Sequence, residues 1–162
     1  MALLATGDTA PDIEARRRDG TTLRLSELRG RHVLVYFYPK DDTPGCTAEA
    51  CGLNDNVAAL TESGADVIGV SQDSWESHQR FATKHELEFA LASDRDGSIR
   101  RAYGVGRMLG ILPLAQRVSF LVDPEGRVAR VWPSVSPAGH AADVLAEVRS
   151  RTGPAAGAAS PA

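Results

Sequence analysis

The chain has 162 residues, 43% of them hydrophobic and 24% charged, with a formal net charge of −3. That length suffices for one domain with a sizeable core. The weak negative charge gives no electrostatic reason to bind nucleic acid or an anionic membrane, and no apolar run approaches the roughly 20 residues that span a bilayer. Met1–Ala5 is too short for a secretory signal and lacks its positive flank. A cytoplasmic location is therefore expected, where two cysteines are more often redox-active or catalytic than a structural staple.

Ile13–Arg16 and Thr22–Leu25 flank Asp19-Gly20, which predicts a β-hairpin. Ser26–Gly30 reads as a short capped turn. Val33–Tyr38 is an unbroken apolar, β-branched and aromatic run, the pattern of a buried strand. Pro39 ends it, and Asp41-Asp42-Thr43-Pro44-Gly45 supplies turn and helix-start signals. One helix is predicted from just after Pro44 to about Glu62, closed by Ser63-Gly64. Ala65–Ser71 is a second buried strand. Ser74 then caps a helix running to about His85, with an acidic first turn.

Leu91–Asp94 is a short strand or an extended link, and Ile99–Tyr103 a short helix stopped by Gly104. Gly104–Gln116 is a loop with many apolar residues. Arg117–Val122 and Arg127–Trp132 form a hairpin around Asp123-Pro124-Glu125-Gly126. A last helix follows Pro137-Ala138 and ends near Arg149. From Gly153 only Ala, Gly, Pro and Ser remain, so 153–162 is expected to be a disordered tail on a domain of residues 1–152. Two βα units, then a hairpin and a closing helix, give parallel pairing first and antiparallel pairing last. That is the order of an α/β, thioredoxin-like fold, with the first hairpin as an N-terminal extension of a mixed sheet flanked by helices. A flavodoxin-like sheet needs more βα units than the chain offers.

The strand at Val33–Tyr38 hands Cys46 directly to a helix start, an arrangement suited to making a thiolate. A free thiol has a pKa near ~8.5. The unpaired N–H groups and dipole of a first helical turn stabilise the anion by about 0.3–1 kcal/mol, less than one pKa unit, so a cation is still required. Pro44 fits the first turn, where its missing N–H is no loss, and Thr43 places a hydroxyl beside the thiol. Arg117, opening the strand after the glycine-rich loop, is the candidate cation, because its planar fork can hold a thiolate and a bound oxygen together. The competing reading of Arg117 is a surface charge at a strand edge.

Cys46 and Cys51 stand five residues apart on one predicted helix. Their Cα atoms would lie about 8–9 Å apart on different faces, beyond the roughly 7 Å that a disulfide tolerates. Either the thiols never meet, with Cys51 a small core residue, or the helix start unwinds. Gly45 and Gly52 bracket the segment and ease unwinding.

Tyr36–Cys51 closely resembles the active-site segment of the peroxiredoxin Q subfamily, also called bacterioferritin comigratory protein. Its Pro-x-x-x-Thr-x-x-Cys element stands here as Pro39, Thr43 and Cys46. Gly7–Asp12 and Arg117–Asp123 also look like family segments, and the resemblance spans about residues 6–150. The resemblance implies a thiol peroxidase for hydrogen peroxide and organic hydroperoxides. Cys46 would be the peroxidatic cysteine, and Thr43, Arg117 and the Cys46 backbone N–H would bind the peroxide. Pro39 would shield the thiol from water, and Glu49 would orient the polar network. Cys51 matches the resolving position, giving an intramolecular disulfide that thioredoxin or a similar dithiol reopens; the family requires local unfolding of the helix for this. The resemblance suggests a monomer.

The departure lies at Gly104–Gln116, where the family commonly carries a more polar segment with a tryptophan and lysines. The apolar loop here packs on its own core, widens the pocket for organic hydroperoxides, or meets a second subunit in a dimer. No cofactor is expected: haem and flavin have no recognisable anchor, Cys-x4-Cys is a poor zinc spacing, and His32, His78, His85 and His140 are scattered. His78 and His85 read as solvated surface residues on one helix face. A thioredoxin-type oxidoreductase would want Cys-x-x-Cys. A binding module with incidental cysteines predicts no oxidation of Cys46 by stoichiometric peroxide.

Overall fold

The computed structural model describes residues 2–107 and 114–152. Its strands are β1 (Glu14–Arg16), β2 (Thr22–Arg24), β3 (His32–Phe37), β4 (Ala65–Ser71), β5 (Ala90–Ser93), β6 (Val118–Val122) and β7 (Val128–Trp132). The helices are α1 (Pro44–Asp55), α2 (Val57–Glu62), α3 (Trp75–Lys84), α4 (Ser98–Ala102) and α5 (His140–Thr152), with a 3-10 turn at Leu25–Leu28. All seven strands join one sheet in the order β2-β1-β5-β4-β3-β6-β7. β3, β4 and β5 are parallel, and antiparallel pairs extend the sheet at both sides. This is the mixed α/β, thioredoxin-like architecture with its N-terminal hairpin. Leu91–Ser93 belong to a true strand, paired with β4 from Ile68↔Ala90 to Ser71↔Ser93, and Asp94 lies just past its end.

β3 explains why its residues are apolar without alternation. Leu34 and Tyr36 face one core with α1, α2 and α5, while Val33, Val35 and Phe37 face a second core with Tyr103 and Phe120. A strand covered on both faces has no polar side to show. The single helix predicted over 44–62 is two. Asn56 sits between α1 and α2 and its side-chain Nδ2 donates to the Gly52 carbonyl at 2.8 Å, the competition for helical carbonyls that makes asparagine a helix boundary. The predicted tail at 153–162 and residues 108–113 of the apolar loop lie outside the described residues; the flanks of that loop meet in an Arg107↔Ala115 bridge. No helix among the described residues is long and apolar enough to cross a membrane.

The histidines are not solvated. His32, His78 and His140 are buried and His85 is half-buried. Helix periodicity alone cannot reveal that α3 turns His78 inward under the loop after β3. His140 opens α5 with Nε2 2.8 Å from Ser119 Oγ and its ring edge-on to Trp132. Burial pushes its pKa down to about 4, opposed by Asp143. The fold therefore holds the ring neutral, while the unfolded chain takes a proton near pH 6.5. Stability from this site is full above pH 6.5, declines as pH falls towards 4, and is flat below; the loss is roughly 2–3 kcal/mol. In urea titrations the stability drop between pH 7 and pH 4 should be smaller in His140→Asn than in the native chain. Equal drops would show that His140 titrates normally.

Candidate active site

The chain leaves β3 through Tyr38, whose N–H still bonds the Val70 carbonyl at 3.1 Å, and through the buried Pro39. The next turn is fastened to α3. The Asp41 carboxylate accepts from the Tyr38 hydroxyl at 2.5 Å and the Ser77 hydroxyl at 2.9 Å, and lies 2.7 Å from His78 Nδ1. His78 Nε2 faces the Ala92 carbonyl at 2.9 Å, which can only accept, so that nitrogen carries a hydrogen. The Asp41 N–H donates to Asp73 at 2.8 Å. Asp41, Asp73 and His78 are the one group of three or more ligand-type side chains within 4.8 Å of one another among the described residues, and these hydrogen bonds hold their polar atoms together.

Thr43 is the N-cap of α1, Pro44 its first residue and Cys46 its third. The first intrahelical bond is Thr47 N–H to the Thr43 carbonyl at 2.8 Å. Gly45 and Cys46 therefore present N–H groups that no turn of the helix can satisfy, and the Thr43 side chain does not cap them. The Thr43 hydroxyl does not bond the thiol; it donates to the Lys40 carbonyl at 3.0 Å, which leaves its lone pairs to accept.

Antiparallel pairing of Phe37 with Val118 puts Arg117 opposite the point where the chain leaves β3. Its guanidinium forks: Nη2 donates to Cys46 Sγ at 3.2 Å and Nη1 to Glu49 Oε1 at 3.0 Å. Cys46 and Glu49 are each only 1% exposed, so this charge acts where solvent screens little. Gly45 makes room for it, since a Cβ there would stand 2.7 Å from Arg117 Nη2. Burial raises the Glu49 pKa to about 7 against the opposing pull of Arg117. Glu49 Oε2 and the Tyr36 hydroxyl are both buried without a partner among the described residues. Burial first, then the nearby Glu49 and Cys46, push Tyr36 far above the usual phenol range.

Cys51 is a half-buried thiol on the same helix, and both cysteines are free. Its neighbours differ from those of Cys46: Sγ lies 3.8 Å from His85 Nδ1, at the C-terminal cap of α3. Burial and then Asp55 push its thiol up. The far end of α1 is clamped, because Asn54 donates to the Glu86 carbonyl at 3.0 Å and accepts from Glu88 N–H at 2.8 Å.

The structure thus gathers Cys46, Arg117 and Glu49 in direct contact, sets Thr43 and Pro39 in the segment before the helix, and leaves Cys51 facing elsewhere. Sequence reasoning missed the space-making role of Gly45, the Asp41–His78 fastening and the neighbours of Cys51. The pairings Gly45–Arg117, Asp41–His78 and Cys51–His85 each join segments more than 30 residues apart, and no local pattern marks such a pairing.

Residues 6–131 match the AhpC/TSA family model. The "Putative peroxiredoxin bcp" of Coxiella burnetii is 42% identical over 146 residues, covering 88% of this chain and 97% of that protein. Among solved structures, peroxidoxin BcpB of Mycobacterium tuberculosis superposes with a TM-score of 0.81 at 36% identity, covering 91% of this chain and 97% of that one. The bacterioferritin comigratory protein of Xanthomonas campestris, described with its alkyl peroxide reduction activity, gives 0.79 at 36% identity, covering 93% and 99%.

Proposed function

The chain belongs to the AhpC/TSA family and is a peroxiredoxin of the Bcp and Q type, and on this basis we propose that its thiol peroxidase activity runs through Cys46, with Cys51 as the resolving thiol. The observation that carries the reading is the Arg117 fork, which places a permanent cation 3.2 Å from a buried sulfur at a helix N-terminus. A guanidinium in that position sets a fixed positive charge against the reacting sulfur, and its planar fork can serve a second acceptor at once.

In this reading the Cys46 thiolate attacks the terminal peroxide oxygen. The S–O bond forms as the O–O bond breaks, and the departing oxygen leaves as alcohol or water after taking a proton. Arg117 and the free N–H of Cys46 meet the developing negative charge. Thr43 accepts from the peroxide O–H with the lone pairs left over by its bond to Lys40, and buried Pro39 keeps bulk water from the sulfur. Glu49 fixes the second arm of Arg117. The substrates are hydrogen peroxide and organic hydroperoxides, the latter supported by the activity named for the Xanthomonas relative.

The resulting Cys46 sulfenic acid must then meet Cys51, which requires the start of α1 to unwind. The clamp at Asn54 leaves the first turns of α1 as the part that opens. A dithiol reductant of the thioredoxin kind reduces the Cys46–Cys51 disulfide and restores both thiols.

The test is intact mass and peptide mapping after one equivalent of hydrogen peroxide without reductant. The native chain should lose about 2 Da, mapped to a Cys46–Cys51 bridge, and Cys51→Ser should instead gain about 16 Da on Cys46. A native chain that gains about 16 Da and stays unbridged would remove the resolving role from Cys51. One that does not react would remove the peroxidatic role from Cys46.

A further inference from the structure

The two thiols are served unequally. Cys46 carries a guanidinium on its sulfur, whereas burial and the Asp55 carboxylate hold the Cys51 proton in place. A thiol is a poor nucleophile and its thiolate a good one, so the resolving step needs a proton acceptor at Cys51. The ring of His85 stands there, with Nδ1 3.8 Å from Cys51 Sγ. Its other nitrogen, Nε2, is 3.4 Å from Asp42 Oδ1. An ionised carboxylate only accepts, so Asp42 favours the hydrogen on Nε2 and turns the Nδ1 lone pair to the thiol.

Asp42 is itself secured. Lys84 Nζ reaches its two oxygens at 3.1 and 2.9 Å, and Lys84 first, then His85, keep its carboxyl below the usual range. The imidazole is oriented by an edge-on contact with Phe81, ring centres 5.1 Å apart, and by a backbone bond from His85 N–H to the Phe81 carbonyl. Nucleophile, base and orienting carboxylate stand in the order that activated thiols use elsewhere.

We propose that His85, oriented by Asp42, is the general base of the resolving half-reaction. Nδ1 takes the Cys51 proton while α1 is still wound, and the thiolate so formed attacks the sulfur of the Cys46 sulfenic acid as the helix opens. The S–S bond forms as the S–O bond breaks. The hydroxide leaves as water with the proton that the imidazolium returns, and the peroxide already consumed is the only oxidant. The inference rests on the reading of Cys51 as the resolving cysteine.

Bridge formation can be timed directly, by quenching with acid at intervals after one equivalent of hydrogen peroxide and weighing the intact chain. In His85→Ala the species about 16 Da heavier should accumulate, with bridging slowed at least about tenfold at pH 7. Added imidazole should recover part of the rate, which a lost packing contact would not allow. His85→Gln, which keeps a polar side chain at the helix cap, should show the same slowing, and Asp42→Asn a smaller one. Bridging at the native rate in both His85 variants, or a deficit that imidazole leaves untouched, overturns the base role alone. A native chain that never bridges overturns the Cys51 reading, and this inference with it.

Discussion

Cys46→Ser should abolish peroxide consumption, to below about a thousandth of the native rate, measured with a dithiol reductant in excess. The serine hydroxyl is far too weak an acid to supply an alkoxide at neutral pH, and its oxygen cannot take up a further oxygen as sulfur does. The effect should be chemical rather than structural. Serine is slightly smaller than cysteine, and its hydroxyl meets Arg117 Nη2 where the sulfur does now, at 3.2 Å. The buried polar atom is thus partnered, and the stability change should stay near about 1 kcal/mol. Turnover in the folded variant above that level would mean that the peroxide is reduced elsewhere in the chain.

Arg117→Ala should lower kcat/KM for peroxide by about 10²–10³-fold, the loss typical of removing a preorganised donor from a charged transition state. Two of its functions disappear together, the hold on the thiolate and the charge that meets the departing oxygen. Stability should fall much less. Glu49 loses its partner, but its pKa already lies near 7, and without Arg117 it simply keeps its proton instead of burying an uncompensated charge. Arg117→Lys should restore less than tenfold, because one ammonium cannot reach both Cys46 Sγ and Glu49 Oε1. Gly45→Ala offers a control that changes no charge. The added Cβ would sit 2.7 Å from Nη2, so the guanidinium must shift and the rate should drop with it. A loss below tenfold in Arg117→Ala would leave that residue a packing partner of Cys46 and Glu49 with no part in the chemical step.

The element order, the strand that is buried on both faces and the helix that starts beside Cys46 were legible in the chain. Each follows from local physics: Val33–Phe37 can only satisfy its side chains with cover on two sides, and Pro44 behind Thr43 permits little but a helix start. The same locality explains the error at Asn56, where a side-chain bond to the Gly52 carbonyl outweighed an otherwise helical run. The long motif around Cys46 also carried the family.

Tertiary structure decided the rest. Whether Arg117 is a surface charge or a fork on the thiol depends on the β3–β6 register, which brings it to Cys46 from 71 residues away. Whether His78 and His85 are solvated depends on which side of α3 meets the loop before Cys46. Cys51 can be placed on a helix from sequence, but its neighbour His85 comes from 34 residues away. Spacing and propensity determine what a segment is. The partner that fills each hydrogen bond and the charge that stands on each sulfur are set only when separate segments pack, because those energies are made between segments rather than within them.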